Sequence, residues 1–190
     1  MEENAMKKKN NDNLVSNCFD LTSIVATAII AVAVSFIFIF RTVGVNGDSM
    51  KPTLHDTDRI ILSAIYTEPE RGDIVVTCQP NASAIIPDTL VKRVIATGGQ
   101  TVDIDFNNGI VYVDGEALDE PYINDKTHDR EDFSEPVTVP EGYVFVMGDN
   151  RNHSTDSRDR RVGLIREEYI LGKALFRVKP FGQFKIGQYE

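Results

Sequence analysis

Val43-Gly44-Val45-Asn46-Gly47-Asp48-Ser49-Met50-Lys51-Pro52-Thr53-Leu54 is the stretch in which the chain changes its period. Upstream of it, every residue from 21 to 40 is apolar or carries a small hydroxyl, and none is charged. That is roughly the 20 residues a helix needs to cross about 30 Å of hydrocarbon. Downstream the apolar residues alternate with polar ones, beginning with Val43 and Val45 on one face of a short extended segment. An alternating period is the mark of half-buried strands. A single apolar helix followed by a mainly β body is therefore expected, with the polar turn at residues 47–54 just beyond the junction. Taken alone, Ser-Met-x-Pro has the composition of an ordinary surface loop, because Ser and Pro are common turn formers.

Residues 1–20 are polar, with Lys7, Lys8 and Lys9 set against Glu2, Glu3, Asp12 and Asp20, and they show no apolar periodicity. A short disordered tail is expected there. The basic triplet keeps that end in the cytoplasm, makes residues 21–40 a transmembrane helix in the cell membrane, and puts residues 41–190 outside, with the lipid bilayer as a partner. A cleavable signal peptide is the competing reading, and Ala31-Val32-Ala33 supplies a small-x-small site for it. Against it, the apolar run is longer than a signal core and continues through Phe36, Phe38 and Phe40. An uncleaved anchor is preferred.

The net charge of -9 and the scattered basic residues leave no cationic face for phosphate, which argues against nucleic acid as a partner. Cys18 precedes the apolar run and Cys78 follows it, so a membrane between them forbids a disulfide.

Residues 59–65, 73–78 and 90–96 are rich in Ile and Val and bounded by turn formers, and each reads as a strand. Val102, Ile104 and Phe106 alternate up to Asn108-Gly109, after which residues 110–113 run back, a hairpin signal. Residues 116–140 are acidic and punctuated by prolines, an exposed excursion with little core of its own. Strand character resumes at 143–147, a turn or two of helix is expected at 166–170, and a closing strand at 173–178.

A serine hydroxyl is a weak nucleophile and needs a base within hydrogen-bond reach. His55, His128 and His153 all lie in polar, loop-like settings, and no Gly-x-Ser-x-Gly elbow surrounds Ser49. The histidines also lack the spacing of a zinc motif, so no metal is expected. Lysine is the other partner, but only if desolvation keeps it neutral. The base should then be a lysine flanked by apolar residues in a strand. Lys92, in Thr89-Leu90-Val91-Lys92-Arg93-Val94-Ile95, meets that test, although a strand lysine can also snorkel to solvent. Lys51 lies in a polar turn.

Gly47-Asp48-Ser49-Met50-Lys51-Pro52 is similar to the nucleophile motif of the bacterial type I signal peptidases, the Gram-positive branch in particular. Lys92-Arg93-Val94-Ile95 followed by Gly98-Gly99 resembles the segment that supplies the lysine base of that family. Arg71-Gly72-Asp73-Ile74-Val75 resembles a structural block, and Val113-Asp114-Gly115 with Leu118-Asp119-Glu120-Pro121-Tyr122 resembles the hairpin region that follows the lysine. Met147-Gly148-Asp149-Asn150-Arg151-Asn152-His153-Ser154-Thr155-Asp156-Ser157-Arg158 is the most specific match, with its Gly-Asp-Asn-Arg start and Ser-x-Asp-Ser-Arg finish at the family spacing.

The resemblance implies a membrane-anchored serine endopeptidase that removes signal peptides from secretory precursors, with Ser49 as nucleophile, Lys92 as general base and no cofactor. It implies an antiparallel β catalytic domain with a small inserted β region at about 97–142. Ser154 resembles the serine that orients the lysine, Asp156 and Arg158 resemble residues supporting the site, and Asp149 and Arg151 read as structural. Val43, Val45, Leu54, Leu90 and Val91 flank the two catalytic residues and are candidate walls for the substrate, with plain core packing as their alternative. The chain departs from the family at Gly47, where one branch has a serine that helps hold the oxyanion. It departs again at Thr57, which stands where a glycine is usual, and in the turn at Ala96 and Gly98-Gly99. Other readings are a non-catalytic anchored peptide-binding module or inactive paralogue, a Ser-Lys self-cleaving repressor, which would need a DNA-binding segment where this chain has its apolar run, and a soluble protein freed of its signal.

Overall fold

The structure is a computed structural model that describes residues 2–65, 68–78 and 89–179, with the backbone alone for residues 2–18 and 35. It divides into a helix and a β-rich unit that starts at Phe40. Helix α1 (Glu2–Ile39) contains the segment Phe19–Ile39, which is long and apolar enough to cross a membrane. Ile24, Ile29, Ile30, Phe36, Ile37 and Phe38 are all exposed on it. The tail expected to be disordered is instead the first part of α1. Glu, Ala, Met and Lys at positions 2–9 are good helix formers, and extending a helix already nucleated downstream needs no second nucleus. The side chain of Cys18 lies outside the described ones, and Cys78 is a free thiol.

The β unit comprises β1 (Phe40–Gly44), β2 (Arg59–Ser63), β3 (Ile74–Cys78), β4 (Thr89–Ala96), β5 (Thr101–Asp105), β6 (Ile110–Val113), β7 (Glu116–Ala117), β8 (Val137–Thr138), β9 (Tyr143–Met147), β10 (Ile165–Arg166) and β11 (Ile170–Lys179). Seven strands form an antiparallel sheet in the order β1-β2-β11-β3-β4-β9-β10, and four form a smaller one in the order β7-β6-β5-β8. The hairpin at Asn108-Gly109 closes β5 on β6, with Val102 opposite Val113 and Asp105 opposite Ile110. The helical turn expected near 166–170 is a single 3-10 turn, Glu167–Tyr169.

Period-2 alternation gives the large sheet two apolar faces. Ile60, Leu62, Ile74, Val76 and Ala174 build one, covered by Val45, Met50 and Leu54. Val75, Val94, Val144, Val146 and Ile165 build the other. A third cluster joins the two sheets: Ile95, Ala96, Phe145 and Met147 from the large one meet Val102, Ile104, Val111 and Val113 from the small one. The excursion at 116–140 contributes more than expected. Its Tyr122, Thr127, Phe133 and Val139 are buried, and the Phe133 ring stands edge-on to Phe106 and Phe145 at 5.9 and 6.0 Å. Prolines and acids mark an irregular backbone, but they do not prevent a few apolar side chains from filling the gap between two sheets.

Candidate active site

Ser49 lies in the turn between β1 and β2, and short-range bonds fix that turn. Val45 N–H donates to the Asp58 carbonyl (2.8 Å), Thr57 N–H to the Val45 carbonyl (3.0 Å), and Leu54 N–H to the Met50 carbonyl (2.8 Å). Gly47 has a left-handed backbone (φ 87°), and its N–H donates to Asp56 Oδ1 at 2.9 Å. Met50 and Leu54 plunge into the core and pin the turn to the sheet. The departure at Thr57 has a structural consequence: its φ is 71°, a conformation free to glycine but one that costs an L-residue about 1–2 kcal/mol. The Thr57 bond to Val45 helps hold it there.

Lys92 lies on β4 opposite Val75, is only 3% exposed, and brings Nζ within 2.8 Å of Ser49 Oγ. Burial pushes its amine below the ordinary lysine value. Asp156 pulls against that shift, Arg158 adds to it, and Asp149 and Glu131 oppose it more weakly. Val43, Leu90 and Val91 line the cleft of about 460 Å³ that Ser49 and Lys92 share, together with His153, Thr155 and Arg161. Val45 and Leu54 do not line it; they belong to the core beneath the turn. The Ser49 N–H has no acceptor among the described residues, although the Ser49 carbonyl accepts from Asn150 N–H at 3.0 Å.

The segment 148–158 closes the site from below. Asp156 is fully buried, with Oδ2 accepting from Gly148 N–H (2.9 Å), Ser154 Oγ (2.8 Å) and Arg158 Nη2 (2.9 Å), and Oδ1 accepting from Arg158 Nε (2.8 Å). Burial pushes the Asp156 carboxyl up, but the Arg158 hydrogen bonds and charge, the Gly148 N–H and Lys92 together hold it below the ordinary carboxylate value. The Ser154 hydroxyl donates to Asp156, the carboxylate whose charge also acts on the Lys92 amine.

Arg93, next to Lys92, grips Asp149 through Nε (2.8 Å) and Nη2 (2.6 Å), donates through Nη1 to the Gly72 carbonyl (2.8 Å), and stacks on Tyr122 at 3.9 Å. Thr53 Oγ1 also donates to Asp149. The turn bearing Ser49 and the strand bearing Lys92 are therefore tied through one carboxylate. Arg151 donates to the Gly148 carbonyl (3.1 Å) and to Glu120 with both terminal nitrogens, which fastens the excursion to the same segment. Thr53, Arg93 and Asn150 were not singled out as site residues from sequence; Arg93 and Asn150 lie inside the motifs, whereas nothing local marks Thr53. No group of three or more His, Cys, Asp or Glu side chains is arranged to hold a metal among the described residues.

The chain matches the model of the family described as signal peptidase, peptidase S26, over residues 18–179. It is 40% identical to a probable signal peptidase I-1 of Synechocystis over 76% of this chain and 74% of that protein. It is 34% identical to signal peptidase I S of Bacillus subtilis over 96% of this chain and 97% of that protein, and 36% identical to signal peptidase IB of Staphylococcus aureus over 83% and 91%. A serine facing a buried lysine on a β-sheet, with this extent of match, leads to one conclusion: the chain belongs to the signal peptidase family, peptidase S26, as a type I signal peptidase, a serine protease that removes signal peptides.

Proposed function

We propose that Ser49 and Lys92 form the catalytic dyad and that α1 anchors the enzyme in the cell membrane, N-terminus in the cytoplasm and β unit outside. The observation that carries the dyad is the 2.8 Å separation of Lys92 Nζ from Ser49 Oγ with the lysine buried. As an ammonium, Lys92 donates to Ser49. Once neutral, it accepts the hydroxyl proton as Ser49 attacks the scissile carbonyl, and it returns that proton to the leaving amine. Water activated by the same lysine then clears the acyl-enzyme. The unspent Ser49 N–H is a donor for the oxyanion, and Gly47 adds no side chain to it.

The substrate is the signal peptide of a secretory precursor, taken as an extended strand along the cleft between β1 and residues 89–92 of β4, which β9 does not pair, with Val43, Leu90 and Val91 as apolar walls for small side chains. Asp149, Asp156, Arg158 and Ser154 support the dyad without touching substrate. No cofactor enters the reaction.

Cleavage of a secretory precursor by the full chain in detergent tests this. Ser49→Ala is expected to abolish turnover, and Lys92→Ala to lower kcat by about 10²–10⁴-fold, the usual worth of a general base. Full activity in either variant would sink the dyad, and an inactive wild type would favour the peptide-binding module.

A further inference from the structure

The cleft that holds Ser49 and Lys92 has two unlike walls. One is apolar and comes from strands, as Val43 of β1 with Leu90 and Val91 of β4; the other is polar and comes from the connection between β9 and β10, as His153, Thr155 and Arg161. Asp159 fixes Arg161 in that second wall. The Arg161 backbone N–H donates to Asp159 Oδ1 (2.8 Å), its Nε reaches both Oδ1 and Oδ2 (2.9 Å each), and its Nη2 donates to Oδ2. The Asp159 side chain is only 3% exposed and does not line the cleft, whereas that of Arg161 is 49% exposed and does. Asp159 therefore takes one edge of the guanidinium and leaves the rest to the cleft: Nη1 has no protein partner among the described residues. The one acidic side chain in the cleft lining, Asp48, is paired with Lys51 at 3.0 Å. A guanidinium with one edge already fixed presents its remaining donors in a set direction and loses little freedom when they are used.

We propose that Arg161 is a specificity-determining residue that receives an acidic side chain of the precursor just after the cut, donating through Nη1 to its carboxylate. The side of the cut follows from the two walls. Small side chains of the signal peptide take the apolar wall, which leaves the polar wall to the chain that follows it. A carboxylate is the acceptor that a guanidinium fits best, and a lysine in the same place meets a like charge. This inference rests on Ser49 and Lys92 being the dyad, since they mark where in the cleft the cut falls.

The test is cleavage, by the full chain in detergent, of precursor peptides that differ only in carrying Asp, Asn or Lys at each of the first few positions after the cut. At one of those positions wild type is expected to favour Asp over Asn by about fivefold in kcat/KM, the upper worth of an exposed ion pair, with Lys poorest and the preference fading as salt is raised. Arg161→Gln is expected to cleave the Asp and Asn peptides alike, and Arg161→Lys to keep part of the preference. Binding of the same peptides to Ser49→Ala, with and without Arg161→Gln, reads the preference without turnover. An Asp-to-Asn ratio near one at every position in wild type overturns the proposal, and so does a ratio that survives Arg161→Gln. A loss in Arg161→Gln shared equally by all three peptides also overturns it, because Nη1 would then serve a main-chain carbonyl. Full activity in Ser49→Ala is a different failure: it removes the dyad, and with it the side of the cut assigned here, whatever the ratios.

Discussion

Gly148 lies so close beneath Ser49 that a β-carbon on it would fall 2.4 Å from the Ser49 carbonyl oxygen and 2.2 Å from Ser154 Oγ. Both contacts are far inside van der Waals range, and the first is with backbone that a rotamer change cannot move. The absence of a side chain at Gly148 is what lets the nucleophile turn settle on the catalytic segment, where Asn150 donates to the carbonyls of both Ser49 (3.0 Å) and Asp48 (3.0 Å).

Gly148→Ala is therefore expected to push the Ser49 turn off the segment. Overpacking of this kind costs about 1–3 kcal/mol. A displacement of the nucleophile by about an ångström lowers the rate about 100-fold. Thermal unfolding and kcat for precursor cleavage check both effects. A variant with wild-type kcat would show that the turn is not seated by this contact.

The burial of Lys92 was legible because desolvation is a local property: a lysine among Leu90, Val91, Val94 and Ile95 in a strand is marked by its neighbours. The strands and the hairpin were legible for the same reason, since alternation and Asn-Gly are written within a few residues. Alternation says which side chains share a face but not what covers that face, so it could not tell that Val45 and Leu54 go under the turn while Val43 and Leu90 line the cleft. The bonds of Thr53 to Asp149 and of Arg158 to the Asp129 carbonyl join segments far apart in the chain, with nothing in either segment to announce the other. The helix over residues 2–20 is hidden by the polarity of its residues, although Glu, Ala, Met and Lys among them favour helix.

Arg93 and Asp149 are both wholly buried, and their ion pair is anchored further by Thr53, Gly72 and the Tyr122 ring. Removing one partner leaves an uncompensated buried charge, a loss of about 3–5 kcal/mol. Arg93→Lys keeps the charge but is not conservative, since an ammonium matches neither the bidentate geometry nor the ring. Arg93→Met and Asp149→Asn are each expected to destabilise by that amount. The double variant should cost less than the sum by about 0.5–3 kcal/mol, the coupling of residues in one network. Additive losses in denaturant unfolding would show that the two side chains act independently.

Lys92 links stability to pH with a definite sign. Its amine is depressed in the fold below its unfolded value of 10.5, so in the window between the folded and unfolded values the unfolded chain binds the extra proton. Stability contributed by this site therefore rises with pH across that window and is level above 10.5. Below the folded value the buried ammonium is a fixed burden, eased by Asp156 and Asp149. Lys92→Met keeps most of the volume and carries no charge. Its advantage in unfolding temperature over wild type is expected to be largest on the neutral side of the window and to shrink steadily as pH climbs toward 10.5. A gap between the two that stays constant from neutral to alkaline pH would mean that Lys92 is not desolvated, and a lysine that keeps its water keeps its proton too.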